Sequence, residues 1–496
     1  MPVILTRSAP ATAPRVVVVP LCANLVFGPR ATALEAATGG ALGRAITAAR
    51  FAAAEGACLE ILAPAGIDCA RLILLGLGAE ESLSPLVANR AGVALARHLE
   101  ALGEDAASLV HDPLGAAPEA LLAALVHGLQ LGNYRSPLTP QGVEPFALTL
   151  ALETDLEATA ELDRIEALAA GVTLARDLVN SPASHLHPEN FADFLAPLAL
   201  AGIEITVMGP EELAREGMNA VLAVGQGSAR GPRVIVLRYC PEGSPAAPIA
   251  LVGKGICFDA GGLCIKTGPQ MFGMRADMSG AAAVVGTMLA LARQGSGEHV
   301  VGVLGIAENM LSGTSYKPGD IVTTMSGKTV EVYDTDCEGR MVLADILYLA
   351  ASRHAPRVIV DLATLTYSVM QGLGHVFAGL FATDDDLAAE LLAAGETVGE
   401  RFWRLPLDPA YEVELRSPLA DLRQHAADLH DGDAPHAAAF LRQFTQDRRW
   451  AHLDIAGKEL AEKDLPLARR GGTGFGVRLL EEWITVQAHR PVSRAP

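Results

Sequence analysis

Between Ile249 and Asp361 the chain alternates short apolar runs with segments of helical periodicity. The apolar runs are Ile249 to Val252, Val300 to Ala307 and Arg357 to Asp361, and the helical segments are Ser279 to Arg293 and Gly339 to Ser352. A strand that is apolar on both faces has to be covered on both faces, so the pattern predicts a mostly parallel sheet with helices packed on either side. In open sheets of this kind, ligand sites lie beyond the carboxyl ends of the strands. That is where the unusual charges fall.

The run Gly253-Lys-Gly-Ile-Cys-Phe-Asp-Ala-Gly-Gly262 follows directly on Ile249 to Val252. It carries Lys254 and Asp259, and Lys266 comes shortly after. Asp277 stands just before the helix at Ser279, and Asp336 and Glu338 form an Asp-x-Glu pair leading into the helix near Gly339. Burying unpaired charge is expensive, and metal coordination is one of the few ways to offset it. The constellation therefore reads as a two-metal hydrolytic centre. Carboxylates such as Asp336 and Glu338 can bridge ions about 4 Å apart. Beside two cations, Lys254 at the strand end can lose its proton and donate its amine to a metal, whereas Lys266 stays charged and steadies an oxyanion. Asp277 has two readings, helix cap or ligand. Arg340 can hold an anion or a carboxylate beside the metals.

The 496 residues are too many for one ordinary core and imply two domains. Residues 1–155 read as a smaller α/β domain, with strands Arg15 to Pro20 and Arg71 to Gly78 and helices Ala36 to Ala54 and Leu83 to Leu102. This part has no His, Cys, Asp or Glu cluster at ligand spacing, which leaves it an assembly or regulatory role. Residues 156–180 read as a linker helix ending before Ser181-Pro182. Residues 181–496 form the catalytic domain, which opens with a helix near Pro188 to Leu200 and strands Ile203 to Met208 and Arg233 to Tyr239.

Several function classes are disfavoured. The 38 Lys plus Arg against 57 Asp plus Glu give a net charge of -19, which works against a nucleic-acid partner. The seven cysteines include no C-x-x-C pair and fit a reducing cytoplasm; Cys257, Cys264 and Cys337 read as packing residues. No secretion signal is expected at Met1-Pro-Val-Ile-Leu-Thr-Arg, and no apolar run reaches the roughly 20 residues of a membrane span. The glycine-rich run lacks both nucleotide-binding orders, and neither H-E-x-x-H nor G-x-S-x-G is present.

Taken together, Val252 to Lys266, Met274-Arg-Ala-Asp-Met278 and Asp334-Thr-Asp-Cys-Glu-Gly-Arg340 resemble the leucyl aminopeptidase (cytosol aminopeptidase) family of two-metal exopeptidases. Ala307-Glu-Asn-Met310, Lys317-Pro-Gly-Asp320, Ala363-Thr-Leu-Thr366, Ala451 to Ala456 and Gly471 to Val477 extend the likeness over most of Asn180 to Trp483. The resemblance implies one metal position built from Lys254, Asp259, Asp277 and Glu338. It implies a second built from Asp259, Asp336 and Glu338 with the carbonyl of Asp336, filled by zinc or manganese. It also implies Lys266 polarising the first peptide carbonyl, a bicarbonate held by Arg340, and Met274 and Thr364 near the pocket for the first side chain, expected to be apolar. Leu365 is a further candidate for the substrate pocket, and Tyr367, standing where the family places Gly, can narrow the adjoining pocket on the leaving side or fold outward and change nothing. A cytoplasmic homohexamer acting on peptides belongs to the same expectation.

The chain departs from the family pattern at Asp334, Cys337, Cys264, Tyr367 and the segment Asp421 to Phe440, where Leu429-His-Asp-Gly-Asp-Ala-Pro-His436 stands in place of a glycine-rich, Arg-containing turn. These departures bear on substrate more than on reaction class. Two other readings stay open: a two-metal amidase or esterase without amino-end selectivity, and an inactive or moonlighting scaffold or nucleic-acid-binding protein.

Overall fold

The computed structural model describes residues 3–7, 14–138, 146–426 and 432–488, and part of the divergent segment, 427–431, lies outside them. The chain divides into two compact units. The first comprises Met1–Ala169 with Lys463–Arg469, and the second Ala170–Glu462 with Arg470–Pro496. The boundary falls inside the helix Thr159–Asn180 rather than on either side of it. The segment 463–469 belongs with the first unit because Arg469 donates to Glu100 at 2.6 Å and to the Gly132 carbonyl at 2.7 Å.

In the first unit six strands, β1 (Ile4–Thr6), β2 (Val16–Leu21), β3 (Cys58–Leu62), β4 (Arg71–Gly76), β5 (Ala106–Val110) and β6 (Thr149–Glu153), form one sheet in the order β1-β6-β5-β2-β4-β3. Only β3 runs antiparallel to its neighbour. Along β2 the valines alternate between two cores: Val16 and Val18 pack into one, Val17 and Val19 into the other. The central strand is thus covered on both faces, as its sequence predicts. The helix expected over Ala36 to Ala54 is two helices, Pro29–Ala37 and Ala41–Ala49, because Gly39 and Gly40 adopt φ of 59° and 85° between them.

The second unit holds eight strands: β7 (Glu204–Met208), β8 (Arg233–Tyr239), β9 (Ile249–Asp259), β10 (Val300–Asn309), β13 (Val358–Ala363), β14 (Ala378–Ala382), β15 (Phe402–Arg404) and β17 (Trp450–Asp454), ordered β15-β14-β17-β13-β9-β10-β8-β7. The centre, β17-β13-β9-β10, is parallel, and antiparallel pairs lie toward the edges. Three short strands, β11 (Ile321–Thr323), β12 (Thr329–Glu331) and β16 (Leu422–Arg423), make a separate small sheet. Where one helix was expected near Pro188 to Leu200, a 3₁₀ turn Phe191–Leu195 leads into the short helix Ala196–Leu200.

The largest correction concerns β9. The strand does not stop at Val252 but continues through the glycines to Asp259. Gly253 and Gly255 are there for close approach, not for a turn. A Cβ on Gly253 would lie 2.6 Å from the Ala281 backbone, and one on Gly255 2.4 Å from Ile306 Cδ1. Their absence of side chain lets the helix Ser279–Arg293 lie directly on the sheet. Near its end β9 carries a bulge: Ile256 pairs with Ala307 but Phe258 with Glu308, leaving Cys257 out of the ladder. Bulges are common beside functional sites because they re-aim the following side chains. Here the shift sets Asp259 opposite Asn309.

Candidate metal centre

Six charged side chains predicted from the sequence meet at the carboxyl ends of β9 and β10. Lys254 projects from within β9, two residues beyond its expected end. Its Nζ lies 2.8 Å from Asp277 Oδ1, 2.9 Å from Glu338 Oε1 and 2.9 Å from the Thr364 carbonyl. Lys266 Nζ lies 2.9 Å from Asp259 Oδ2 and 2.5 Å from Asp336 Oδ1. Space for Lys254 comes from Gly339, where a Cβ would stand 2.5 Å from Lys254 Cε. The true turn follows Asp259. Gly261 and Gly262 take φ of 86° and 63°, and a Cβ on Gly261 would crowd the Cys264 carbonyl at 2.5 Å and Asp336 Oδ1 at 3.0 Å.

Asp277 follows the 3₁₀ turn Met274–Ala276 and does not act as a helix cap. Its Oδ1 accepts from Lys254 and from Thr364 Oγ1 at 2.7 Å, while Oδ2 is buried with no hydrogen-bond partner. A buried carboxylate oxygen without a donor is costly and calls for a cation. Carboxylate oxygens of Asp259, Asp336 and Glu338 lie within 4.8 Å of one another. Oxygen ligands from several segments, with one orphaned oxygen beside them, fit a divalent ion.

The electrostatics agree. Burial works to lower the Lys254 ammonium, but Asp277, Glu338 and Asp259 outweigh it and hold it above the ordinary lysine value. Lys266 is held up likewise by Asp259, Glu338 and Asp336 against its burial. Burial, then Asp259 and Glu338, pushes Asp336 up to about 8, and burial raises Asp277 and Glu338 as well. Carboxylates crowded to this degree repel one another, and positive charge placed between them relieves that. A neutral Lys254 requires cations strong enough to offset three carboxylates.

Supporting residues were not assigned roles from the sequence. Asn309 Nδ2 donates to Asp259 Oδ1 at 2.8 Å and to the Thr335 carbonyl at 3.0 Å, and Tyr316 donates to the same carbonyl at 2.8 Å. Thr335 Oγ1 donates to the Gly261 carbonyl at 2.7 Å and ties the two ligand loops together. Asp334 Oδ1 accepts the Asp336 backbone N–H at 2.8 Å, so its extra charge serves a turn. Asp454 accepts from Leu365 N–H at 3.1 Å and Thr366 Oγ1 at 2.7 Å, fixing the segment that carries Thr364. Asn309, Thr335 and Asp454 lie in runs that carry the family resemblance, but their hydrogen-bonding roles come from the packing.

Lys254, Asp259, Lys266, Asp277, Asp336 and Glu338 line a cavity of about 240 Å³ that also includes Met274, Leu365, Tyr367, Arg340, His425 and Asp433. Tyr367 opens the helix Tyr367–Leu373, is 42% exposed, and places its ring 5.5 Å from Lys266 Nζ. Cys257 is buried with Sγ 3.8 Å from the Gly255 carbonyl, while Cys264 and Cys337 are partly buried. Arg340, expected to hold an anion, holds one belonging to the chain: Nη2 donates to Asp433 Oδ1 at 2.7 Å and Nη1 to the Gln424 carbonyl at 3.0 Å. A bicarbonate taking Nη2 would compete with Asp433 for it, while Nε of Arg340 is buried with no hydrogen-bond partner.

Comparison with known proteins identifies the family. Residues 173–481 match the cytosol aminopeptidase family's catalytic domain, and residues 18–137 match its N-terminal domain. A probable cytosol aminopeptidase 1 from Shewanella oneidensis is 42% identical over 446 residues, covering 88% of this chain and 87% of that one. A probable cytosol aminopeptidase from a Bradyrhizobium species is 40% identical over 483 residues, covering 95% and 96%. Among solved structures, the bottromycin maturation enzyme BotP in complex with Mn superposes with a TM-score of 0.84 at 34% identity, covering 96% of this chain and all of that one. A mutant of tomato leucine aminopeptidase gives 0.84 at 30% identity, covering 98% and 96%. With both domains matched and relatives of this identity spanning most of its length, the chain belongs to the cytosol aminopeptidase family.

Proposed function

We propose that the protein is a dinuclear metal-dependent aminopeptidase that removes the first residue, apolar by preference, from peptides. One observation carries this reading: the carboxylates of Asp259, Asp336 and Glu338 converge within 4.8 Å between two lysines, in a cavity at the carboxyl ends of parallel strands. Lys254, Asp259, Asp277, Asp336 and Glu338 would hold two divalent ions, zinc or manganese. Such ions supply Lewis-acid polarisation of a carbonyl and a lowered pKa for water.

The chain's own part is placement and charge. Lys266, held protonated by Asp259 and Asp336, is positioned to donate to the carbonyl oxygen as negative charge develops there. Asn309 and Thr364 fix the orientation of Asp259 and Asp277. Met274, Leu365 and Tyr367 give the cavity an apolar wall suited to an apolar side chain. Assembly as a homohexamer in the cytoplasm is proposed on family membership. It is supported by Leu263, Ile265 and Phe272, which expose apolar surface near the centre. Among the described residues no helix is long and apolar enough to cross a membrane.

The test is hydrolysis of a free peptide against its amino-acetylated form, before and after chelation. Cleavage of the free peptide alone, lost on chelation and restored by zinc or manganese, is the expected result. Equal cleavage of both peptides would instead make the enzyme a general amidase.

A further inference from the structure

Arg340 is 1% exposed, and its charge is met inside the chain by Asp433, whose side chain is about 30% exposed and lines the same cavity as the candidate ligands. We propose that Asp433 is a catalytic residue, the carboxylate that takes the proton of the attacking water and returns it to the departing amine while Arg340 holds it in place. The inference rests on the aminopeptidase reading above.

The candidate ligands and cations of the cavity are already committed. Asp259 and Asp336 are paired with Lys266, and Asp277 and Glu338 with Lys254. Lys266 and Arg340 offer no acceptor while charged. His425 is stacked on Tyr333 at 5.9 Å, its Nδ1 lies 3.0 Å from the Ala426 carbonyl, and burial and Arg340 lower its pKa. Two other carboxylates without a metal role line the cavity, Asp334, which accepts the Asp336 backbone N–H, and Glu459, which burial raises, and beside them stands Asp433. Burial would raise its pKa, but Arg340 outweighs this and keeps it below the usual range, in the proton-accepting form.

Its position is fixed from several directions. Asp433 is the first residue of the helix Asp433–Arg442, after Gly432 at φ 86°. The next residue, Ala434, donates its N–H to Ser368 Oγ at 2.9 Å, tying that helix start to the helix carrying Tyr367. Arg340 anchors the carboxylate at 2.7 Å, and His425 Nε2 stands 3.6 Å from the same oxygen. An exogenous anion competing for Nη2 of Arg340 would have to displace a carboxylate built into this frame.

The step balances without any further reactant. As the water oxygen bonds to the first peptide carbonyl carbon, its O–H bond breaks and the proton passes to Asp433. As the C–N bond breaks, the nitrogen keeps the electron pair and takes that proton, which restores the carboxylate. Water is consumed, and an amino acid and a shortened peptide leave.

Wild type, Asp433→Ala and Asp433→Asn are compared as metal-loaded enzymes in bicarbonate-free buffer, with metal content and unfolding temperature measured alongside. Wild type should keep the same kcat with or without added bicarbonate. Both variants should retain metal and lose kcat by about 10²- to 10⁴-fold, the usual worth of a positioned proton carrier. Formate or bicarbonate should restore at least about ten-fold to Asp433→Ala, where space has been opened, and nothing to Asp433→Asn, where the amide fills it. Wild type that needs bicarbonate, a variant with undiminished kcat, or a loss that no anion rescues would overturn the proposal. Failure of metal-loaded wild type to cleave any peptide would sink the aminopeptidase reading instead.

Discussion

Asn309 Nδ2 donates to Asp259 Oδ1 at 2.8 Å across the parallel pair β9 and β10, where the bulge at Cys257 makes the two residues register partners. Partners that orient a metal ligand are worth about 10- to 100-fold in metal affinity. Asn309→Ala should therefore weaken metal binding by about that factor while the fold persists. Competition against a chromophoric chelator measures it, and unchanged affinity would remove Asn309 from the centre.

Lys266 and Glu338 should separate cleanly. Glu338→Ala removes a carboxylate shared by the proposed ions and leaves Lys254 with one partner fewer, so metal content and rate should fall together. Lys266→Ala should keep its metal and lose kcat by about 10²- to 10³-fold, the cost of removing a donor to developing oxyanion charge. Elemental analysis with steady-state kinetics reads both, and a Lys266→Ala enzyme of normal kcat would refute the assignment.

Metal uptake should depend steeply on pH. Asp336 is pushed up to about 8, first by burial and then by Asp259 and Glu338; burial also raises Asp277 and Glu338, and Lys254 is held above its ordinary value. A raised acid carries its proton below its folded pKa, and only the deprotonated form binds metal. Affinity should accordingly rise with pH through about 8, with protons released on binding. Titration calorimetry in buffers of different ionisation enthalpy counts those protons. A flat affinity from about pH 6.5 to 8.5 would contradict the scheme.

Tyr367 should shape substrate preference. Its half-exposed ring lies beside Lys266 in the cavity wall, and Tyr367→Gly opens that wall. A panel varying the first two residues should show wild type favouring an apolar first residue. The variant should shift relative kcat/KM by about 10-fold toward bulkier side chains. An optimum for an acidic first residue would defeat the apolar-wall argument.

Sedimentation equilibrium at dilute protein should report a homohexamer. A fully active monomer would show that the apolar surface at Leu263, Ile265 and Phe272 serves something other than self-association.

Much of the second unit was legible because its signals are local. The apolar runs of β10 and β13 predict buried parallel strands, and the helix Ser279–Arg293 follows from its own periodicity. Glycine was the residue whose meaning the sequence left ambiguous. At Gly261 and Gly262 it permits positive φ in a turn, at Gly253 and Gly255 it permits contact inside a strand, and at Gly339 it makes room for Lys254. Letters in a row do not distinguish these uses, since the neighbour that would collide comes from another element.

What the amino-acid order determined by itself was the inventory: which strands are buried, which charged residues follow them, and hence the chemistry they can support. Charge beside an apolar strand end is a local fact with a local cost, so it can be read without a fold. Which charges face one another was decided by tertiary structure alone. Arg340 and Asp433 are 93 residues apart, and only the packing of the helices Glu338–His354 and Asp433–Arg442 gives the guanidinium an internal carboxylate. Likewise one unpaired residue at Cys257 sets the register that places Asn309 on Asp259. Pairing across long loops depends on how elements dock, and sequence spacing carries no record of that.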